Sequence, residues 1–123
     1  MLSYQNLEAW KKGMEIVKEV YIIGKAIPSE EIYALTSQMK RAAVFVPSNI
    51  AEGIGRNYKK DTIQILHIAR GSLYELETLL NVAKMVNYMK EENAMISCIK
   101  LIEDEKKILN GLIKSFEQRT DLK

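Results

Sequence analysis

LTSQMKRAAVFVPSNIAEG, residues 35–53, is the stretch that decides the fold. Leu35, Met39, Ala42, Val46 and Ile50 recur at intervals of three and four, the period that lines one face of an α-helix. Pro47 stands inside that pattern, where a proline removes a backbone donor, crowds the carbonyl of Ala43 and costs ~3 kcal/mol. Two readings follow: a kink that curves the helix round its neighbours, helped by small Ala42 and Ala43, or a freed carbonyl that joins a binding site. Asn49 falls at the edge of the apolar seam, where a buried amide needs a partner. A group across the bundle, or the carbonyl released by Pro47, would satisfy it and set the register between helices. Gly53 and Gly55 end the helix.

On the N-terminal side, Leu7, Trp10, Met14, Val17, Tyr21 and Gly24 trace an apolar seam, widened by Val20, Ile23 and Ile27. Lys11, Lys12, Glu15, Lys18 and Glu19 occupy the opposite face. Asn6 or Ser3 caps this helix and Pro28 stops it. Ser29-Glu30-Glu31 places acids in a first turn, either of a short element before Leu35 or of a helix running into the next. On the C-terminal side, Asn57 caps a third helix with Asp61 in its first turn. The seam there is Thr62, Ile65-Leu66, Ala69, Leu73, Leu76, Leu80 and Ala83, lasting until Asn87. A fourth helix begins near Glu91-Glu92 and repeats Met95, Ile99, Ile102, Leu109, Leu112-Ile113 and Phe116. No segment alternates with period two. The expectation is an all-α, antiparallel up-down-up-down four-helix bundle, a single domain over residues 1–123.

At 123 residues, 47% hydrophobic and 28% charged, the chain is large enough to bury a core without disulfides or metals. The single cysteine, Cys98, flanked by Ile96 and Ile99, reads as a buried thiol and excludes a multi-cysteine metal site. No basic region followed by an apolar stretch opens the chain, and no run approaches the ~18 apolar residues of a membrane span. A cytoplasmic protein with no membrane partner is expected.

The net charge is only +2, but it is unevenly spread. Residues 36–73 hold Lys40, Arg41, Arg56, Lys59, Lys60 and Arg70 against only Glu52 and Asp61, while the flanking segments are each slightly acidic. Such an excess points to an anionic partner. Gly53-Ile-Gly-Arg-Asn is not a phosphate loop of the Walker kind, since no strand precedes it and no Lys-Ser pair follows. It reads as a helix end, with Arg56, Lys59 and Lys60 beside the start of the third helix for phosphate contact.

A second line on helix two, Gln38, Arg41, Phe45, Ser48 and Glu52, matches one on helix three, Ile63, His67, Arg70, Tyr74, Glu77 and Asn81. Mixed aromatic, amide and charged groups of this kind are enriched in protein interfaces. Arg41 and Arg70 would meet Glu52, Glu75 or Glu77 across a subunit boundary, or else within one bundle surface. Gln38, Asn49 and Tyr74 belong to the same interface or register set. Gly71-Ser72, in mid-helix, suggests close approach of another helix. The lone His67 has no Cys or carboxylate in catalytic relation and no metal-ligand spacing, so neither enzyme chemistry nor a cofactor is expected.

Trp10, Tyr21, Pro28, LTSQMKRAA, Pro47, SNIAEG, Gly55-Arg56 and ARGSLYELETLL together resemble the bacterial four-helix bundle proteins associated with intervening sequences in 23S ribosomal RNA genes. The resemblance runs from Leu7 to Tyr88 and covers the fourth helix by pattern alone. Phe45 departs from it, since a small polar residue is usual there. The resemblance implies a bundle that assembles into a ring, a homopentamer, without enzymatic activity. It also implies similarity to the accessory variability determinant of diversity-generating retroelements, a basic pentameric bundle that works with RNA and a reverse transcriptase. The resulting expectation is a homo-oligomeric scaffold that binds structured RNA or DNA without sequence preference. A protein-interaction module with no nucleic-acid role is the alternative.

Overall fold

Helix three shows most directly how the sequence becomes structure. In the computed structural model, which describes residues 3–88 and 92–120, Thr62, Leu66, Ala69, Leu73, Leu76, Leu80 and Ala83 are all buried along one side of a helix. That helix, α3, spans Lys59–Met85; α1 spans Glu8–Ala26, α2 Leu35–Ile54 and α4 Glu92–Glu117. Their 19, 20, 27 and 26 residues make rods of roughly 29–41 Å at ~1.5 Å per residue. Short connections turn each helix back on the one before. α2 packs on α1 and α3, and α4 closes the bundle against α3 and α1. No strand occurs among the described residues. The all-α bundle expected from periodicity is the architecture observed.

α2 buries Met39, Ala42, Val46 and Ile50 as its spacing requires, with Leu35 half-buried. It continues as helix across Pro47, whose ring is itself buried. A Cβ added to Gly13 of α1 would lie 3.4 Å from the Cβ and Cδ of Pro47, so the glycine is where α1 makes room for the ring. Ala43 is wholly buried, so the backbone that Pro47 frees lies inside the bundle rather than facing an outside ligand. The α4 seam holds Met95, Cys98, Ile102, Leu109, Ile113 and Phe116. Cys98 is buried as expected, and burial, with a smaller push from Glu19, raises its thiol to about 12.

The seam expected for α1 is corrected by one position. Ala9, Gly13, Ile16, Val20 and Ile23 are buried, whereas Met14 and Tyr21 stand exposed and Trp10 and Val17 are half-buried on the flank. The apolar face of α1 is wider than one seam, since Trp10, Met14 and Val17 lie beside Ala9, Gly13 and Ile16. Its neighbours approach on the face that carries small Ala9 and Gly13, which leaves the bulkier side chains outside.

The expected caps are also corrected. Ser3 and Asn6 bracket a short 3-10 turn, Tyr4–Asn6, and Leu7 holds the cap position of α1 without a side-chain bond. Tyr58, not Asn57, precedes α3. The first turn of α3 is instead tied to α2, through a 2.8 Å hydrogen bond from the Thr62 hydroxyl to the carbonyl of Gly53. Ser29–Glu31 is a separate 3-10 turn after Pro28. α3 ends where Tyr88 N–H donates to the Ala83 carbonyl at 2.9 Å and Asn87 N–H to that of Lys84 at 3.1 Å. Asn87 carries the left-handed φ of 63° that this helix stop requires. Glu91, expected near the start of α4, lies outside the described residues.

Gly71 overturns a further expectation. A Cβ there would meet nothing within 4 Å, and it is Ser72 beside it that turns inward. Among the described residues no helix comes close at Gly71.

Candidate nucleic-acid interface

The up-down topology sorts the six expected cations into three places. Arg56, Lys59 and Lys60 gather at the α2–α3 turn. Lys40 and Arg41 stand about 20 Å up α2 from its C-terminal end, and Arg70 lies about 16 Å along α3. The same topology brings the C-terminal end of α4 to the α2–α3 turn. There Lys59 Nζ donates to the backbone carbonyl of Arg119 at 3.0 Å, and the Arg119 guanidinium lies over the Phe116 ring at 5.1 Å. Arg119 lies outside the charge excess of residues 36–73, so the charge distribution along the chain does not mark it, and only the bundle's connectivity brings it to this end.

The cations differ in what holds them. Arg56 pairs with Glu52 one turn back at 2.6 Å, both half open to solvent, beside an open depression lined by Asn49, Asp61, Gln64 and Ile68. Lys60 is exposed in the first turn of α3. Lys40 lies over the Tyr21 ring at 4.7 Å and Arg41 over Phe45 at 5.2 Å. Arg70 donates to Asn110 Oδ1 at 3.0 Å and meets His67 Nδ1 at 2.7 Å, so it faces α4.

Within one chain, Arg41 and Arg70 pair with none of Glu52, Glu75 or Glu77, which corrects the intramolecular version of that expectation. Glu52 belongs to Arg56. Glu77 takes a 2.7 Å bond from Lys106, which also reaches Glu103 at 2.9 Å and lies over Tyr74 at 5.3 Å. The bond to Glu77, followed by that to Glu103, raises Lys106 above the usual lysine value, and the bond from Lys106 holds Glu103 below the usual carboxylate value. Glu75 and Gln38 are exposed. The Asn49 amide neither crosses the bundle nor reaches the carbonyl released by Pro47, since it donates to the Phe45 carbonyl at 2.7 Å in its own helix.

Trp10, Met14 and Val17, on the outer flank of α1, form a shallow apolar groove with Tyr4 of the preceding turn and with Val44 and Ala51 of α2. Tyr4 and Trp10 meet edge to face, their centroids 5.5 Å apart. Among the described residues no three His, Cys, Asp or Glu side chains gather as metal ligands, and no helix is long and apolar enough to cross a membrane.

These features define a four-helix bundle whose surface offers cations at one end and an apolar groove on one side. A family model described as 23S rRNA-intervening sequence protein matches residues 5–111, and the chain belongs to that family. Among solved structures, a crystal structure from Bacteroides thetaiotaomicron VPI-5482, described as a protein of unknown function from the S23 ribosomal protein family, is similar with a TM-score of 0.77. It is 22% identical, over 86% of this chain and 95% of that one, a likeness of fold. No curated protein matches. Neither matching description names an enzymatic activity.

Proposed function

We propose that this protein is a non-enzymatic, cytoplasmic, homo-oligomeric scaffold that holds structured RNA, or DNA, through backbone phosphates. The observation that supports this most is the gathering of Arg56, Lys59 and Lys60 at one end of the bundle, where the C-terminal end of α4 adds Arg119. Phosphate contacts of this kind position a nucleic acid without reading its sequence. In a ring of five, the assembly the resemblance implies, one weak cationic end repeated on every subunit would gain by multivalency. The exposed groove of Trp10, Met14 and Val44 supplies apolar surface for contact between copies. Arg41 and Arg70 are left to the flanks, as assembly contacts rather than as members of the cationic end.

Binding of a labelled RNA hairpin should weaken steeply between 50 and 200 mM salt. The triple change Arg56→Gln, Lys59→Gln, Lys60→Gln should lower the salt slope by about three for each engaged subunit. Absence of binding at the lower salt, or unchanged binding by the triple variant, overturns the nucleic-acid reading. A monomer by native mass spectrometry overturns the scaffold.

A second reading, a protein-interaction module without nucleic acid, has its own supporting observation. At the opposite end of the bundle Tyr33 is 94% and Met85 74% exposed, with Ile32 and Ile96 also open. Exposed apolar side chains at one end of a bundle are candidates for protein contact. A partner that stays bound after nuclease treatment, and is lost when Tyr33 and Met85 become serine, would favour this reading.

A further inference from the structure

The apolar seam of α4 runs through Ile102 and Leu109 and sets Glu105 between them, where the helical period calls for a hydrophobic side chain. Glu105 is wholly buried, and neither carboxyl oxygen has a hydrogen-bond partner among the described residues. A Cβ placed on Gly13 would lie 3.2 Å from Glu105 Oε2 and 3.4 Å from the Pro47 ring. Three helices therefore share one seat. α1 gives up its side chain there, α2 brings a proline, and α4 brings a carboxyl group.

Each part of this seat is unfavourable to a negative charge. An ionised carboxylate taken from water into apolar surroundings costs far more than the neutral acid does. Burial accordingly pushes the group up to about 8, with Lys12 of α1 pulling it back and Glu8 and Glu15 of the same helix adding to the push. α2 offers the uncharged Pro47 at the seat. Proline also leaves the carbonyl of Ala43, itself buried, without its usual helical donor. A protonated carboxyl carries an O–H that can donate, whereas a carboxylate can only accept.

We propose that Glu105 is a proton-held latch: as the neutral acid it closes the junction of α1, α2 and α4, and loss of its proton loosens α1 from Pro47 and reshapes the outer groove. The link to that groove is direct, because Pro47 lines it together with Trp10, Met14 and Val17 while its ring also reaches Gly13.

The sign follows from linkage. Below the ordinary glutamate value both folded and unfolded chains carry the proton. Between that value and about 8 only the folded chain does, so folding grows weaker as pH rises through this interval and levels off above it. In that window the Glu105 contribution changes the folding equilibrium constant by about tenfold per pH unit.

Urea unfolding of the wild type and of Glu105→Gln, from pH 5 to 9, tests this. The ratio of their folding constants should move against the wild type by about tenfold per unit until the pH reaches the folded-state value. The emission of native Trp10, the chain's one tryptophan, should shift with a midpoint near 8 in the wild type and stay level in the variant. Parallel stability profiles, with no emission midpoint in the wild type, overturn the latch. If Glu105→Gln does not fold, carbon-13 titration of the wild-type side-chain carboxyls decides. A Glu105 resonance moving well above the usual carboxylate range supports the latch, and one moving within that range overturns it.

Discussion

Glu105 and Lys106 adjoin in the chain, yet the regions they occupy handle charge in opposite ways. Where α4 meets α1, Glu105 is enclosed with no hydrogen-bond partner among the described residues, and burial drives it toward neutrality. Where α4 meets α3, Lys106 keeps its charge and joins the helices by bridging Glu77 and Glu103. A step of one residue turns a helix by about 100°, enough to move from the interior to its wet edge. The interior side therefore depends on shape and on one proton, and the edge on paired charges. Substitutions on the two sides should respond to different variables.

Apart from Glu105 itself, whose response is set by pH, the largest response is expected at Gly13. Helix propensity alone would favour alanine by ~1 kcal/mol, but the added methyl group would press on both Glu105 and Pro47. Gly13→Ala is expected to lose about 1–2 kcal/mol in urea unfolding, as overpacked cores do. In a Glu105→Ala background most of that loss should disappear, and equal losses in both backgrounds would show that the carboxyl is not the obstruction. At the edge, Lys106→Met should cost about 0.5–1 kcal/mol, and Glu77→Gln should cost little more once Lys106 is gone. A fully additive pair in that double-mutant cycle would break the contrast between the two sides. The smallest effect is a gain: Gly71→Ala has open space and should stabilise by about 0.5 kcal/mol. A loss there would mean that a neighbouring subunit uses the space.

Much of the bundle was legible because α2, α3 and α4 each have a clear apolar side. In α3 every residue of the expected seam is buried except Ile65, which is half-buried. α1 misled because Trp10, Met14 and Tyr21 outweigh Ala9 and Gly13 on any hydropathy count, while close approach of two neighbours favours the small residues. Glu105 was visible only as a gap, the missing apolar position between Ile102 and Leu109. Glutamate is normally a surface residue, and its burial depends on Gly13 and Pro47, which lie far away in sequence. Asn57 resembled a cap but stands one residue too early, and the hydroxyl of Thr62 makes the local bond to α2 instead.

The candidate interface was legible in composition and not in geometry. A count over residues 36–73 treats Lys40, Arg56 and Arg70 as one group. The helices carry Lys40 to the α1 side, over Tyr21, and Arg70 to the α4 side, against Asn110. Only Arg56, Lys59 and Lys60 remain together, because a four-residue connection cannot separate them. Charge sums along a chain thus find a cationic end only where the fold turns sharply.

Cys98 gives the bundle a clock. Its thiol is enclosed on α4, and burial raises it to about 12, so at neutral pH almost none of it is the thiolate that alkylating reagents attack. The reagent acts only on molecules in which α4 has swung away from its neighbours. The fraction labelled with time then counts those excursions, and the same measurement at two pH values would show whether the proton on Glu105, two turns further along the same helix, sets how often they occur.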